Sequence, residues 1–139
     1  MRNLSVWLGI FAALLCAGWG AGGAYAKSDS DIETVVGTWR GRSICQTDAP
    51  ACHNEDVIYL IREMAGRTDA VFIQADKIVD GKRITMGSGP WQFDRTQHTL
   101  EFRMPRQVWL LKVSGSHIDG TLKLADQTIF RRMTLERDR

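Results

Sequence analysis

The chain has 139 residues, of which 18 are lysine or arginine and 16 are aspartate or glutamate, so its formal net charge is +2. This length suffices for one small domain and excludes a multidomain enzyme. The near-neutral balance excludes the basic surface of a typical nucleic-acid binder or of a protein that docks on an anionic membrane.

Residues 1–26 have the order of an export signal. A short basic start precedes an almost wholly apolar run from Leu4 to Cys16, and small residues then lead to Ala24-Tyr25-Ala26. This order predicts a signal peptide cleaved after Ala26. An uncleaved membrane anchor and a lipid attached to Cys16 are the alternatives. Cleavage would leave 113 residues with 17 basic and 16 acidic side chains, in the periplasm or outside the cell.

The mature chain keeps two cysteines, Cys45 and Cys52, which flank a polar connection containing Pro50. An even pair in a small exported domain indicates a disulfide, here stapling the loop between the first two strands. A redox pair is a weaker interpretation because the spacing is not Cys-x-x-Cys. A metal cluster of Cys52 and His53 with Glu55 and Asp56 is also a weaker interpretation, because adjacent residues of a strand point to opposite faces.

The rest of the mature chain alternates between short apolar runs and turns. Residues 31–36 fit one helical turn capped by Asp31. Alternating apolar and polar side chains then predict about eight strands, at 36–45, 56–63, 69–79, 82–86 continuing as 91–93, 98–104, 107–113, 117–124 and 128–135. Asp80-Gly81 predicts a tight hairpin turn, and residues 87–90 predict a bend or bulge in the fourth strand, or a break into two strands.

Strands joined by tight turns pair antiparallel, and closing such a sheet removes its exposed edges. The expected fold is therefore an all-β, eight-stranded antiparallel up-and-down barrel with one disulfide, and a two-sheet sandwich is the alternative. We expect the barrel domain to span residues 37–135. An N-terminal extension at 27–36 and a charged, fraying tail at 136–139 would flank it.

The first strand opens with Gly37-Thr38-Trp39, which resembles the Gly-x-Trp start of lipocalins and the wider calycin superfamily. The resemblance implies a lipocalin-like barrel whose tryptophan packs across the closed end, beneath a basic residue of the last strand. In this sequence it implies a structural pair of Trp39 and Arg131, since period two places Arg131 on the inward face of that strand. Stacking on an indole face would satisfy an inward arginine.

A second resemblance spans nearly the whole mature chain. The start of the first strand at 37–41, the two cysteines and the segment 75–81 are similar to those of small secreted bacterial proteins that carry no assigned activity. This resemblance implies fold and compartment without implying a function.

The sequence contains no motif for catalysis or phosphate binding. A Gly-x-Ser-x-Gly elbow, a His-Glu-x-x-His motif and a glycine-rich phosphate loop are all absent. We therefore expect no enzymatic activity, no cofactor and no metal site. We also expect a monomer that binds neither nucleic acid nor, after signal cleavage, a membrane.

The first functional hypothesis is a carrier of a small apolar ligand. Its binding site would be the barrel mouth, lined by apolar and aromatic side chains: Tyr59, Ile73, Met86, Trp91, Phe102, Trp109 and Leu122. The hypothesis requires a cavity of roughly 300 Å3 or more. Because a barrel this small is often filled by its own side chains, the cavity is the critical expectation.

The alternative hypothesis is a periplasmic or secreted inhibitor of a hydrolase. Small single-disulfide barrels that inhibit metalloproteases or lysozymes in Gram-negative bacteria are similar in size, compartment and cysteine content. In the protease-inhibitor family an N-terminal segment enters the enzyme's cleft. The corresponding segment here would be the polar stretch from Lys27 to Glu33, expected to be extended.

Overall fold

The protein is a closed antiparallel barrel of eight strands, seen in a computed structural model that describes residues 30–139. A short helical turn, α1 (Ser30–Glu33), precedes the sheet. The strands are β1 (Gly37–Cys45), β2 (Glu55–Glu63), β3 (Ala70–Val79), β4 (Lys82–Asp94), β5 (Thr99–Met104), β6 (Gln107–Ser114), β7 (His117–Leu124) and β8 (Ile129–Arg137). The predicted fold class is confirmed, whereas the predicted signal peptide at 1–26 lies outside the described residues.

Closure follows from the pairing of consecutive strands. Each strand pairs antiparallel with the next, and β8 pairs with β1. Gly41 allows this last pair to approach closely, because a Cβ at this position would lie only 1.9 Å from the backbone oxygen of Thr134 on β8. Cys45 and Cys52 form the predicted disulfide, which ties the β1–β2 connection to the end of β1.

Inward-facing side chains pack the half of the barrel nearest α1. Alternate residues of the strands point into the barrel, and the fully or almost fully buried ones in this half are Trp39, Ile61, Val71, Phe93, Leu100, Leu111, Val113, Ile118, Met133 and Leu135. Burial of each large apolar side chain stabilises the fold by about 1.5–3 kcal/mol. This half has the filled interior expected of a small barrel.

The helical turn α1 and the residues after it cover the packed end. Ile32 and Val35 belong to the buried core, and the Trp39 indole Nε1 donates a hydrogen bond to the Val35 carbonyl at 2.9 Å. The sequence predicts 27–36 as an extension outside the barrel. From residue 30 onward it instead belongs to the fold, because its apolar side chains cover the core.

The last strand is longer than the sequence predicts. β8 continues to Arg137, which pairs with Trp39 of β1. The backbone N–H of Asp138 then donates to the Thr38 carbonyl at 2.8 Å. The expectation of a fraying tail from residue 136 is therefore wrong for residues 136–138, whose backbone lies along β1.

The β3–β4 hairpin turns at Asp80 and Gly81, as predicted. Both residues have positive φ, 50° and 74°, which a tight turn of this kind requires. β4 is one continuous strand through residues 87–90, and its register against β3 shifts between Ala75 and Asp76. The prediction of one long strand with a bulge is thus confirmed over that of two separate strands, but the extra residue is Met86, just before the predicted stretch 87–90.

Strands β4 and β5 separate soon after they meet. Within residues 30–139, the pairs that join them are Gln92 with Glu101, Phe93 with Leu100 and Asp94 with Thr99. Pro90 lies two residues beyond the last of these pairs on β4. The Phe93 N–H donates to the Asp69 carbonyl on the β3 side. Successive residues of a strand turn their backbone N–H and C=O groups to opposite neighbouring strands, so residue 90, three positions away, turns its backbone toward β5. A proline has no N–H to donate there, which ends the ladder.

Candidate functional site

A cavity of about 370 Å3 lies at the end of the barrel opposite α1. It is bounded by β2, β3, β4, β5 and β6, and it opens where β4 and β5 separate. Its lining is Tyr59, Ile73, Ala75, Met86, Gly87, Ser88, Trp91, Phe102, Met104, Gln107 and Trp109. None of these residues is charged, and the polar side-chain groups among them are the Tyr59 hydroxyl, the two indole N–H groups, Ser88 and Gln107. The cavity is therefore suited to apolar rather than ionic chemistry.

Three aromatic rings form one wall of this cavity. Trp91 stacks on Phe102 with ring centroids 5.5 Å apart and planes at 27°. Trp91 also meets Trp109 edge-on, with centroids 6.5 Å apart. Such ring pairs contribute about 0.5–1.5 kcal/mol each beyond their buried area. The wall is thus held in place before any ligand arrives.

The structure brings six of the seven predicted ligand-binding residues to this one cavity: Tyr59, Ile73, Met86, Trp91, Phe102 and Trp109. The seventh, Leu122, is buried on β7 between Trp109 and Arg131 and does not line the cavity. Strand alternation correctly predicts that Leu122 points into the barrel. It does not predict which strands surround the cavity, and β7 is not one of them.

Sequence reasoning omitted five lining residues. Ala75 and Met104 share an inward face with residues that it did select, so strand alternation already contained their signal. The sequence predicts a kink at Gly87 and Ser88 and the start of a strand at Gln107. These three residues line the cavity because β4 separates from β5 beside them.

Tyr59 lies at the base of the cavity and is buried. Burial raises the pKa of its phenol above the ordinary value, an effect that the nearby Arg131 only partly offsets. The phenol therefore stays neutral, and its hydroxyl lies 3.6 Å from the Met133 sulfur as a weak donor. A neutral tyrosine adds a polar atom without adding charge.

A charged cluster lies beside the cavity, toward the same end of the barrel. Glu55 receives Lys77 Nζ at 3.2 Å on one carboxylate oxygen and Arg131 at 3.4 Å on the other. Arg131 also donates to the Ser43 hydroxyl and to the His53 carbonyl, at 3.0 Å each. Lys77 and Arg131 are thus paired within the protein, and the surface that a ligand in the cavity would meet is the apolar lining.

The predicted pair of Trp39 and Arg131 is wrong. The guanidinium carbon of Arg137 lies over the Trp39 ring, 4.3 Å from its centroid. Arg131 pairs in register with Cys45, at the opposite end of β1. Both arginines share the inward face of β8, and the sequence selected the one at the wrong end.

Asp76 holds the hairpin that forms one side of the cavity. Its carboxylate is almost fully buried and accepts hydrogen bonds from Gln74 at 3.0 Å, Thr85 at 2.9 Å and Arg83 at 2.5 Å. Burial alone would raise the pKa of this carboxyl. The hydrogen bonds from these three partners outweigh burial and hold its pKa below the usual value.

Exposed apolar side chains cluster at the mouth of the cavity. Of the five large apolar residues that the described part of the chain exposes, Met86 at 42% and Met104 at 45% line the cavity, and Val79 at 40% and Ile84 at 44% lie nearer the turn of the β3–β4 hairpin. They belong to the β3–β4 hairpin and to the end of β5. The fifth, Leu110, lies elsewhere, on the outer face of β6.

The other groups considered in the sequence have structural roles. The disulfide occupies both thiols, so neither Cys45 nor Cys52 is available to a metal. Within residues 30–139, no group of three or more His, Cys, Asp or Glu side chains is arranged to hold an ion. His117 is half-buried, and contacts with Glu136 and Asp119 raise its pKa.

Two further observations bear on compartment and kinship. The disulfide indicates an oxidising, non-cytoplasmic environment. In the described part of the chain, α1 is too short to cross a bilayer, and there is no other helix that is long and apolar enough to do so.

No protein-family model matches this sequence, and no curated protein is significantly similar to it.

Proposed function

We propose that this protein is a non-catalytic binding protein for a small, uncharged apolar ligand, held in the cavity between β2 and β6. The observation that carries the proposal is the convergence of six apolar or aromatic side chains from five strands on one cavity with an uncharged lining. Its volume, about 370 Å3, falls within the range of small-molecule sites.

The chemistry of the lining indicates the class of ligand. A buried ionic group on the ligand would lose its hydration without meeting an opposite charge, since Glu55, Lys77 and Arg131 already satisfy one another. The rings of Trp91, Phe102 and Trp109 favour a flat, aromatic or polyunsaturated molecule. Ser88 and Gln107 at the mouth offer hydrogen bonds to one polar end.

The proposal also includes export of the protein and a lipocalin-like relationship. The disulfide and the order of residues 1–26 support export to the periplasm or beyond the cell, followed by signal cleavage. A lipocalin-like relationship is supported by the closed barrel and by Trp39 at its packed end beneath an arginine of the last strand.

Fluorescence titration with two related probes tests the proposal. N-phenyl-1-naphthylamine is neutral, and 1-anilinonaphthalene-8-sulfonate adds a sulfonate to the same skeleton. We expect saturable binding of one neutral probe per protein, with quenching of the Trp91 and Trp109 emission. Binding of the anionic probe should be at least about tenfold weaker, because the lining offers no free cation.

Matched variants locate the binding. Ala75→Phe should fill the cavity and weaken binding of the neutral probe at least about tenfold. Gly87→Leu should do the same, since a Cβ at Gly87 meets no atom within 4 Å. Leu110→Phe enlarges an exposed side chain on the outer face and should leave binding unchanged. Equal binding by all folded variants, or a preference for the anionic probe, would contradict the proposal.

A further inference from the structure

One side of β4 carries a free sheet edge. From Lys82 to Trp91, no residue of β4 pairs with β5 within the described chain, while the other side pairs with β3 along its length. This stretch, with the facing residues 102–107, is called the open seam below. Ser88 lies two residues before Pro90, and residues two apart in a strand turn their backbone groups to the same side. The N–H and the carbonyl of Ser88 therefore also point toward the seam.

The open seam combines features that a docking strand requires. An added strand gains main-chain hydrogen bonds from a free edge and selectivity from pockets beside it. Here the edge borders the apolar cavity directly, because Met86, Gly87 and Ser88 line it. Ile84, Met86 and Met104 are exposed along the seam, where a partner would cover them.

The charges at the seam indicate the composition of the partner. The open seam and its two turns carry the cations Lys82, Arg83, Arg103 and Arg106 and the anion Asp80. Asp76 engages Arg83 and Glu101 engages Arg103, which leaves Lys82 and Arg106 exposed on the two sides of the seam. Acidic side chains on a docking strand would complement these two cations.

Charge and backbone chemistry disfavour other occupants. A second copy of the chain would add the same stretch of β4, residues 82–91, which contains Lys82 and Arg83 and no acidic side chain to complement Lys82 and Arg106. A lipid surface would leave the backbone groups of β4 without hydrogen-bond partners in hydrocarbon. The need for complementary charge and the need for backbone hydrogen bonds both favour an extended polypeptide of a different protein.

We propose that the open seam is a docking site for an extended peptide segment in which acidic residues alternate with apolar ones. The segment adds as a strand to β4, turns its apolar side chains toward the cavity mouth and places its carboxylates near Lys82 and Arg106. This site borders the small-ligand cavity, but its partner is recognised through different groups, the backbone edge and the flanking charges.

Three synthetic peptides test this proposal with the whole exported protein. The first alternates glutamate with valine and phenylalanine. The second has the same sequence with alternate backbone nitrogens methylated, which blocks strand pairing on one edge. The third replaces each glutamate with lysine. We expect the second and third to bind at least about tenfold more weakly than the first. Shifts of backbone amide resonances should centre on residues 82–89 and 102–107.

Protein variants separate edge and charge. Ser88→Pro removes an N–H that faces the seam and should weaken binding of the first peptide about tenfold. Lys82→Glu combined with Arg106→Glu should do likewise, whereas Arg62→Glu, an exposed arginine near the packed end, should not.

Several results would overturn the proposal. One is equal binding of the methylated peptide, and another is amide shifts elsewhere on the barrel. A third is a dimer of the free protein that Ser88→Pro dissociates, because it would identify the occupant as a second copy. Failure of the unsubstituted protein to bind the first peptide, while it still binds the neutral naphthylamine, would reject docking and leave the proposed function intact.

Discussion

Arg137 stabilises the packed end of the barrel through two kinds of contact. Its guanidinium lies 4.3 Å from the centre of the Trp39 ring. It also donates hydrogen bonds to the carbonyls of Thr34 and Val36, just beyond α1. One side chain at the end of β8 thus joins the first strand to the segment that covers the core.

We predict that Arg137→Ala will lower the free energy of unfolding by about 1–3 kcal/mol. The loss arises because two carbonyls lose their donor and the indole loses its cation. Urea denaturation checks this value. Arg132→Ala is the control, since Arg132 is exposed on the same strand. Equal losses of unfolding free energy in the two variants would show that the contacts of Arg137 with Trp39 and the two carbonyls add no stability.

Strand alternation alone did not identify Arg137. Period two correctly places residues 131, 133, 135 and 137 on one face, so the inward direction was predictable. The end of the strand was not, because the charged run 136–139 resembles a frayed tail. Pairing with Trp39 extends β8, and a pairing across the whole chain leaves no local signal.

At the scale of the element, the β3–β4 hairpin depends on Asp76. Four side-chain donor atoms, from Gln74, Arg83 and Thr85, converge on this almost fully buried carboxylate. They bind the two strands together where the register shifts and one wall of the cavity begins. The wall is therefore held by polar contacts on its outer side.

We predict that Asp76→Ala will destabilise the fold by roughly 1–3 kcal/mol at neutral pH, because buried hydrogen bonds are lost. The pKa of Asp76 is lower in the folded protein than in the unfolded chain. Its contribution is therefore present above the ordinary aspartate pKa of about 3.9 and disappears as the pH falls through the folded value.

Denaturation of the wild type and the variant between neutral and strongly acidic pH measures this linkage. The difference in unfolding free energy should shrink on acidification. Asp48→Ala, which changes an exposed carboxylate in the disulfide loop, should show neither effect. A gap between wild type and Asp76→Ala that stays constant with pH would mean that the ionised form is not what holds the hairpin.

The separation of β4 from β5 is the element-scale feature that the sequence concealed. The glycines and Pro90 in residues 87–90 indicate an irregular strand, and the structure contains a bulge at Met86, one residue before this stretch. Which neighbouring strand the irregularity would release depends on the direction of each backbone amide in the sheet. That direction is a property of the sheet as a whole.

Across the whole molecule, the barrel divides into a packed half and a hollow half. Large side chains and α1 fill the first half. In the second, Ala75, Gly87 and Ser88 are small, and β4 diverges from β5, so a cavity of about 370 Å3 opens to the surface. Length and strand count predicted a closed barrel, but the cavity depends on how side-chain volumes are distributed around it.

Native mass spectrometry of the protein purified from its own host tests the central claim most directly. We predict a chain of residues 27–139 with one disulfide and an additional small neutral molecule that denaturation releases. Ala75→Phe should lose this molecule, and Leu110→Phe should retain it. An identical bare mass under native and denaturing conditions, with no neutral probe taken up afterwards, would contradict the claim that the cavity is a ligand site.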